Sequence, residues 1–208
     1  MGLVAGIIDI GLGNVDSVSR AIRYLGFDFK VCKEPSDMDL VDKIIFPGVG
    51  NFNAAVAILK ETSFDVAIKK QVLEDKKPLL GICLGMHLLA EFGEEGGGAE
   101  GLGLVKGRVK IHRGRSMGFS IPHIGWNDVH QHGGVLYEGI DKDLCFYFVH
   151  SYELILERSL PHVAIANHGV DFTASFEDGN IFGVQFHPEK SQEKGLRLLR
   201  NFIEYSHA

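Results

Sequence analysis

Cys83 stands at the centre of Gly81-Ile82-Cys83-Leu84-Gly85, with a glycine two residues to either side. The apolar run Pro78-Leu79-Leu80-Gly81-Ile82 before it reads as a strand, and Leu84 to Phe92 after it as a helix. Cys83 therefore falls on a strand-to-helix turn, the setting of a nucleophile elbow with Cys in place of Ser. Such a turn forces strained dihedrals on its central residue and needs small neighbours. It lifts the side chain above the sheet and puts the helix N-terminus beneath the sulfur, which favours thiolate. The thiolate is the reactive form and suits attack on a carbonyl carbon. The same pentapeptide also fits a buried structural cysteine in a tight turn, so the choice depends on what else converges there.

Two further segments bear on it. His187-Pro188-Glu189 follows the strand-like run Ile181 to Phe186. Proline biases the preceding residue towards extended geometry, and in an extended segment residues i and i+2 face the same side. His187 and Glu189 are expected to converge on one site. There the imidazole accepts the thiol proton and the carboxylate orients the imidazole, the logic of a nucleophile–base–acid triad. Alone, the segment fits a strand-end turn equally well. Pro47-Gly48-Val49-Gly50 follows the strand-like Lys43-Ile44-Ile45-Phe46. It belongs at the carboxyl edge of a parallel sheet, where open α/β sheets bind ligands. A backbone N–H from this Gly-rich turn, paired with that of Leu84, would hold a developing oxyanion.

The elements that must position these groups alternate at first. Val4 to Asp9 is a short apolar run without alternation, which suits a strand buried on both faces; Phe27 to Cys32, Lys43 to Phe46 and the apolar Pro78 to Ile82 read as the next three strands. Between them, Val15 to Leu25 has amphipathic helical spacing, and Asn51 to Asp75 is a helical stretch broken near Thr62-Ser63. Strand, helix, strand at this spacing implies a parallel sheet covered by helices. The second half differs. Gly93 to Gly101 reads as a flexible loop, followed by short β-like runs at Leu104 to Ile111, Leu144 to Val149, Val163 to Ala166 and Phe172 to Phe176. Glu177-Asp178-Gly179-Asn180 is a hairpin turn signal before Ile181 to Phe186, and Gln192 to Tyr205 is the last helix. The expected fold class is α/β: an open mixed, mainly parallel sheet flanked by helices, with added antiparallel strands. Residues 1–208 are expected to form a single domain.

The composition is globular: 208 residues, 45% hydrophobic and 23% charged. A chain this long buries about 70% of its unfolded surface, enough for one sizeable core. The formal charge of −6 comes without a basic stripe, which argues against a general nucleic-acid binder. No apolar stretch is long enough to span a membrane. Met1-Gly2-Leu3-Val4-Ala5-Gly6 lacks a basic leader and runs into a strand, so no signal peptide is expected, and Gly6 breaks the myristoylation pattern. Three widely spaced cysteines, Cys32, Cys83 and Cys145, fit reduced thiols in a cytoplasmic setting.

Together, Pro47-Gly48-Val49-Gly50, Gly81-Ile82-Cys83-Leu84-Gly85 and His187-Pro188-Glu189 resemble the triad-type glutamine amidotransferases. The likeness narrows with Gly11-Leu12-Gly13-Asn14, Ile121-Pro122-His123-Ile124-Gly125-Trp126-Asn127, Phe146-Tyr147-Phe148-Val149-His150-Ser151-Tyr152 and His187-Pro188-Glu189-Lys190-Ser191. These are similar to the glutaminase subunits of imidazole glycerol phosphate synthase, in histidine biosynthesis. The resemblance implies that Cys83 attacks the glutamine amide, His187 serves as base and then acid, and Glu189 orients it. It implies that the N–H groups of Val49 and Leu84 stabilise the oxyanion. Gly50, Ser151 and Tyr152 would line the glutamine pocket. Trp126, Tyr147 and Lys190 would face a barrel-shaped cyclase partner that receives the ammonia. No cofactor is implied.

One position departs from the family. His87 stands where a Gln is usual, four residues after the nucleophile. On a helix it shares a face with Cys83 and is expected beside the thiol, altering glutamine contacts; if protonated, it would lower the thiol pKa further. A zinc site of Cys83, His87, His187 and Glu189 is the weaker reading, as is one at His130-Gln131-His132. Three alternatives stay open: a paralogous synthase amidating another acceptor such as a surface-polysaccharide sugar, a stand-alone γ-glutamyl cysteine hydrolase, and a silent regulatory subunit. A further expectation is that the free chain turns over poorly until a partner sets the Pro47 to Gly50 turn.

Overall fold

The computed structural model describes residues 2–131, 133–140 and 144–206. Its main sheet has nine strands. Five are mutually parallel: β1 (Val4–Ile8) lies between β2 (Asp28–Cys32) and β3 (Lys43–Gly48), followed by β4 (Leu79–Cys83) and β13 (Ile181–Val184). The apolar runs form these strands because β3, β4 and β13 are buried along their whole length, with helices on both sides of the sheet. The sheet continues antiparallel through β12 (Asp171–Asp178), β11 (His162–Asn167), β8 (His123–His130) and β9 (Cys145–His150). The turn signal at Glu177 to Asn180 is a two-residue hairpin, with Asp178 opposite Ile181 and Gly179 at φ 62°.

The helices expected from periodicity are present. They are α1 (Val15–Tyr24), α2 (Phe52–Glu61), α3 (Phe64–Lys69), α4 (Leu84–Leu88) and α5 (Gln192–Glu204). Asn51 caps α2 by accepting from the Ala54 N–H at 3.0 Å. The break at Thr62-Ser63 is real: Ser63 takes φ 61°, and α3 then runs on as a π-helical turn over Lys70–Glu74. Two apolar clusters fill the faces of the sheet. One centres on Phe46, Phe52 and Phe64, the other on Phe146, Phe148, Phe182 and Phe186.

Five elements differ from expectation, one helix and four strands. The helix after Cys83 ends at Leu88, and Ala90–Gly93 is a strand, β5. Leu88, Leu89 and Ala90 are all fully buried, so a short all-apolar run gave no periodicity to separate helix from strand. The Gly93 to Gly101 segment is not all loop, since Ala99–Glu100 pairs with β5 as β6. With β7 (Val105–Ile111) and β10 (Tyr152–Leu156), these form a second, four-stranded sheet. Neither β8 nor β10 was expected as a strand. In β8, alternation is blurred by polar residues on both faces and by Gly125 at φ 132°.

Register brings the chemistry together. Gly48 pairs with Cys83, and Val184 pairs with Ile82. The three segments singled out by residue type therefore leave the carboxyl ends of adjacent strands β3, β4 and β13. The far strand β9 folds back over this edge: the His187 N–H donates to the Tyr147 carbonyl at 2.9 Å, and the Tyr147 N–H to Ser191 Oγ at 3.0 Å.

Candidate active site

Cys83 is the last residue of β4 and has φ 53° and ψ −109°, a conformation rare outside glycine. Its neighbours show why the turn needs glycine. A Cβ on Gly85 would lie 1.8 Å from the Phe46 carbonyl oxygen, and one on Gly81 would lie 2.7 Å from the Met86 nitrogen. Strand and helix approach too closely there for any side chain. The thiol is buried at 6% exposure and lies 3.8 Å from the Val149 carbonyl oxygen.

His187 Nδ1 lies 2.8 Å from Glu189 Oε1. The two converge as expected, but by a different backbone. His187 is extended, and Pro188–Lys190 then forms a 3₁₀ turn that swings the carboxylate back. Glu189 Oε1 also accepts from Asn14 Nδ2 at 3.5 Å, which ties the Gly11 to Asn14 turn to the site. His187 Nε2 is buried with no oxygen or nitrogen partner. Burial pushes the imidazole pKa down, but the Cys83 sulfur and the Glu189 carboxylate outweigh it and push the value up to about 10. The site thus favours an imidazolium beside the sulfur.

Of the two N–H groups expected to hold an oxyanion, one is engaged elsewhere. Leu84 is the first residue of α4, a position whose N–H has no acceptor within the helix. The Val49 N–H instead donates to the Leu12 carbonyl at 3.1 Å. Gly50, next in the turn, has φ 115°.

A cavity of about 320 Å³ opens over the thiol, within the usual size range for small-molecule sites. Val49, Gly50, Leu84, His87, Ser151 and Tyr152 all line it, as expected from the sequence. Glu95, Pro122, Val149 and His150 line it too and were not foreseen. Trp126, Tyr147 and Lys190 lie together outside the cavity. The Trp126 and Tyr147 rings are 6.1 Å apart edge-on, and Lys190 Nζ lies 5.8 Å above the Tyr147 ring. Trp126 is 48% exposed, so it is no core aromatic.

The charge of His87 follows from its burial. Burial pushes its pKa down to about 4, so near neutral pH it is uncharged and adds no positive charge beside the sulfur. Its Nε2 bonds Gln185 Oε1 at 2.7 Å, and Gln185 Nε2 in turn donates to Cys83 Sγ at 3.8 Å. Gln185 stands two residues before His187, at a bend just past β13, and no motif in the sequence singles it out. Among the described residues no group of three or more His, Cys, Asp or Glu side chains is arranged to hold a metal ion. Of the His130-Gln131-His132 candidate, His132 lies outside the described residues.

The family model for class-I glutamine amidotransferases matches residues 6–205. An imidazole glycerol phosphate synthase subunit HisH 1 of Campylobacter jejuni (strain RM1221) is 46% identical over 198 residues, covering 95% of this chain and 98% of the relative. The imidazole glycerol phosphate synthase subunit HisH of Moorella thermoacetica is 43% identical over 199 residues, covering 95% of this chain and 93% of the relative. Among solved structures, PurLQS from Thermotoga maritima superposes with a TM-score of 0.75 at 19% identity, covering 99% of each chain. A crystal structure of a glutamine amidotransferase gives 0.72 at 22% identity, over 96% of this chain and 97% of the other. These last two bear on the fold, which is that of the class-I amidotransferases. The chain belongs to the class-I glutamine amidotransferase family and, within it, to the imidazole glycerol phosphate synthase HisH subunits.

Proposed function

We propose that the chain is a glutaminase subunit that hydrolyses glutamine to glutamate and ammonia, and that it passes the ammonia to a (β/α)-barrel cyclase as a heterodimer making imidazole glycerol phosphate. The observation that carries this reading is the alignment of Cys83, His187 and Glu189 at adjacent strand ends beneath a cavity of amino-acid size. In the mechanism that follows, the Cys83 sulfur attacks the glutamine side-chain carbonyl. The His187 imidazolium gives its proton to the leaving nitrogen, and ammonia departs. The imidazole, held by Glu189, then takes a proton from water, which hydrolyses the glutamyl thioester to glutamate and frees the thiol. Leu84 and Val49 hold the oxyanion of each tetrahedral intermediate once the Val49 N–H leaves Leu12. Gly50, His87, Ser151 and Tyr152 form the glutamine pocket. Residues 1–208 act as one amidotransferase domain.

Trp126, Tyr147 and Lys190 form the partner face in this reading. Ile124 and Trp126 project from the same side of β8 at 60% and 48% exposure, an exposed apolar patch that suits a partner. Free thiols at Cys32, Cys83 and Cys145 fit the reducing cytoplasm. The test is glutamate release by the purified chain alone, then with a cyclase-type subunit and its nucleotide ligand. Strong stimulation by both supports the reading. A lone chain that is fully active and indifferent to the cyclase would overturn it in favour of a stand-alone hydrolase.

A further inference from the structure

The wall of the cavity behind the nucleophile holds a buried polar chain of three side chains. His87 Nε2 lies 2.7 Å from Gln185 Oε1, and Gln185 Nε2 lies 3.8 Å from Cys83 Sγ. His87 and Gln185 are 5% and 0% exposed. A buried primary amide is ambidextrous, because its oxygen and nitrogen can trade places and present either an acceptor or a donor to the sulfur. The two choices differ chemically. An N–H aimed at the sulfur stabilises thiolate, while a carbonyl oxygen repels thiolate and holds the thiol. What sits at the other end of the amide decides between them.

We propose that His87 acts through Gln185 as a positioning residue for the Cys83 nucleophile, its Nε2–H anchoring the Gln185 carbonyl so that the amide N–H₂ is held towards the sulfur. A carbonyl oxygen only accepts, so the neutral imidazole must carry its proton on Nε2. Loss of that donor frees the amide to turn. Burial holds His87 neutral down to about pH 4, so its own titration lies below the working range. The other polar side chains around the cavity are His187 from the turn after β13, His150 at the end of β9, Ser151 and Tyr152 that follow it, and Glu95 from the turn after β5. Histidine here replaces the glutamine usual in the family, and a glutamine side chain also offers an N–H to the same oxygen. His87→Gln is therefore the conservative variant and His87→Leu the disruptive one.

This inference rests on Cys83 as the nucleophile of the proposed glutaminase, and its test reads the sulfur directly, without glutamine or a partner. The probe is the rate of iodoacetamide alkylation of Cys83 between pH 5.5 and 9.5, located by peptide mass spectrometry. His87→Leu is expected to move the midpoint up by about one pH unit, so that alkylation slows up to tenfold at pH values below the native midpoint. His87→Gln is expected to restore the native profile. Gln185→Leu should match His87→Leu, and Gln185→Glu, which keeps the shape if the leucine variant fails to fold, should raise the midpoint further. Unchanged midpoints in His87→Leu, or a His87→Gln profile no better than that of His87→Leu, would overturn the proposal. A native thiol that behaves as expected in a chain inactive with every cyclase would instead count against the function and leave the positioning role standing.

Discussion

The Val49 amide donates to the carbonyl oxygen of Leu12 at 3.1 Å, joining the turn after β3 to the turn after β1. An N–H so engaged cannot serve the oxyanion hole proposed for Val49 and Leu84. Removal of one oxyanion donor from a hydrolase costs about 10²- to 10³-fold in turnover. The isolated chain should fall short of the complex by a factor of that order. The amide itself reports the switch: its hydrogen exchange should be protected in the free chain and speed up when cyclase and nucleotide ligand bind. A Val49 amide that exchanges freely in the isolated chain would remove this explanation of low basal activity.

The nucleophile and its acid–base pair separate cleanly by mutation. Cys83→Ala should abolish glutamate release and leave partner binding intact, as measured by titration calorimetry. Any residual turnover would dismantle the mechanism. In Glu189→Gln, the carboxylate that helps push the His187 pKa up is gone, so the value should fall. The amide also presents a donor where an acceptor is needed. A loss of about 10²-fold or more in kcat is expected, with little change in KM.

Gly85 tests whether the elbow is a folding constraint as well as a chemical one. The missing Cβ is 1.8 Å from the Phe46 carbonyl oxygen, a backbone atom of the neighbouring strand that cannot turn aside. Gly85→Ala should destabilise by about 3 kcal/mol or more, or prevent folding. A stable Gly85→Ala protein with native activity would show that β3 and α4 have room to part.

These examples mark what was legible in the sequence. Gly81 and Gly85 announced the elbow because local sterics demand them. The parallel strands β3, β4 and β13 were readable because burial on both faces makes them continuously apolar. His187 and Glu189 converge as expected, but through a 3₁₀ turn at Pro188–Lys190 and not through the extended i, i+2 geometry on which the expectation rested. The Leu12–Val49 bond could not be read, since it links two turns brought together only by the pairing of β1 with β3. The same holds for β9, whose approach to the triad depends on the course of the whole antiparallel half. Gln185 lies at a bend just past β13, and no motif singles it out because amides carry no chemistry of their own.

Acid should unfold this chain early. Burial pushes the pKa values of His87 and His123 down to about 4, and those of His112 and His150 below their ordinary value. His123 and His150 share one hydrogen bond of 2.9 Å, and His112 and His168 pack around them. The unfolded chain takes up protons on histidine below about pH 6.5, while the folded chain resists protonation of His87 and His123 until about pH 4 and of His112 and His150 until below the ordinary range. The stability contributed by the buried neutral histidines should therefore be full above about pH 6.5 and fall progressively towards pH 4, with His87 alone contributing about 3 kcal/mol of the loss. His187 has the opposite sign: its stabilisation is complete below about pH 6.5 and is lost as pH rises towards 10, so it does not offset the acid effect. Urea midpoints from pH 7.5 to 4.5 should trace this slope, and His123→Gln should make it shallower. A flat profile would mean that the histidines are solvated.

The partner face offers the last test. Trp126 is half exposed, packs edge-on against Tyr147, and has Lys190 stacked on the other ring. Exposed aromatics joined to a cation have the composition of an interface hot spot. Trp126→Ala removes little that the folded monomer buries, so its thermal midpoint should barely move. Affinity for the cyclase should drop by about 2 kcal/mol or more, some thirtyfold in Kd. Lys190→Ala should weaken binding less, and the more so as salt is lowered, because its contribution is electrostatic. A Trp126→Ala chain that unfolds before it loses its partner would place the indole in the core of the monomer and move the interface elsewhere.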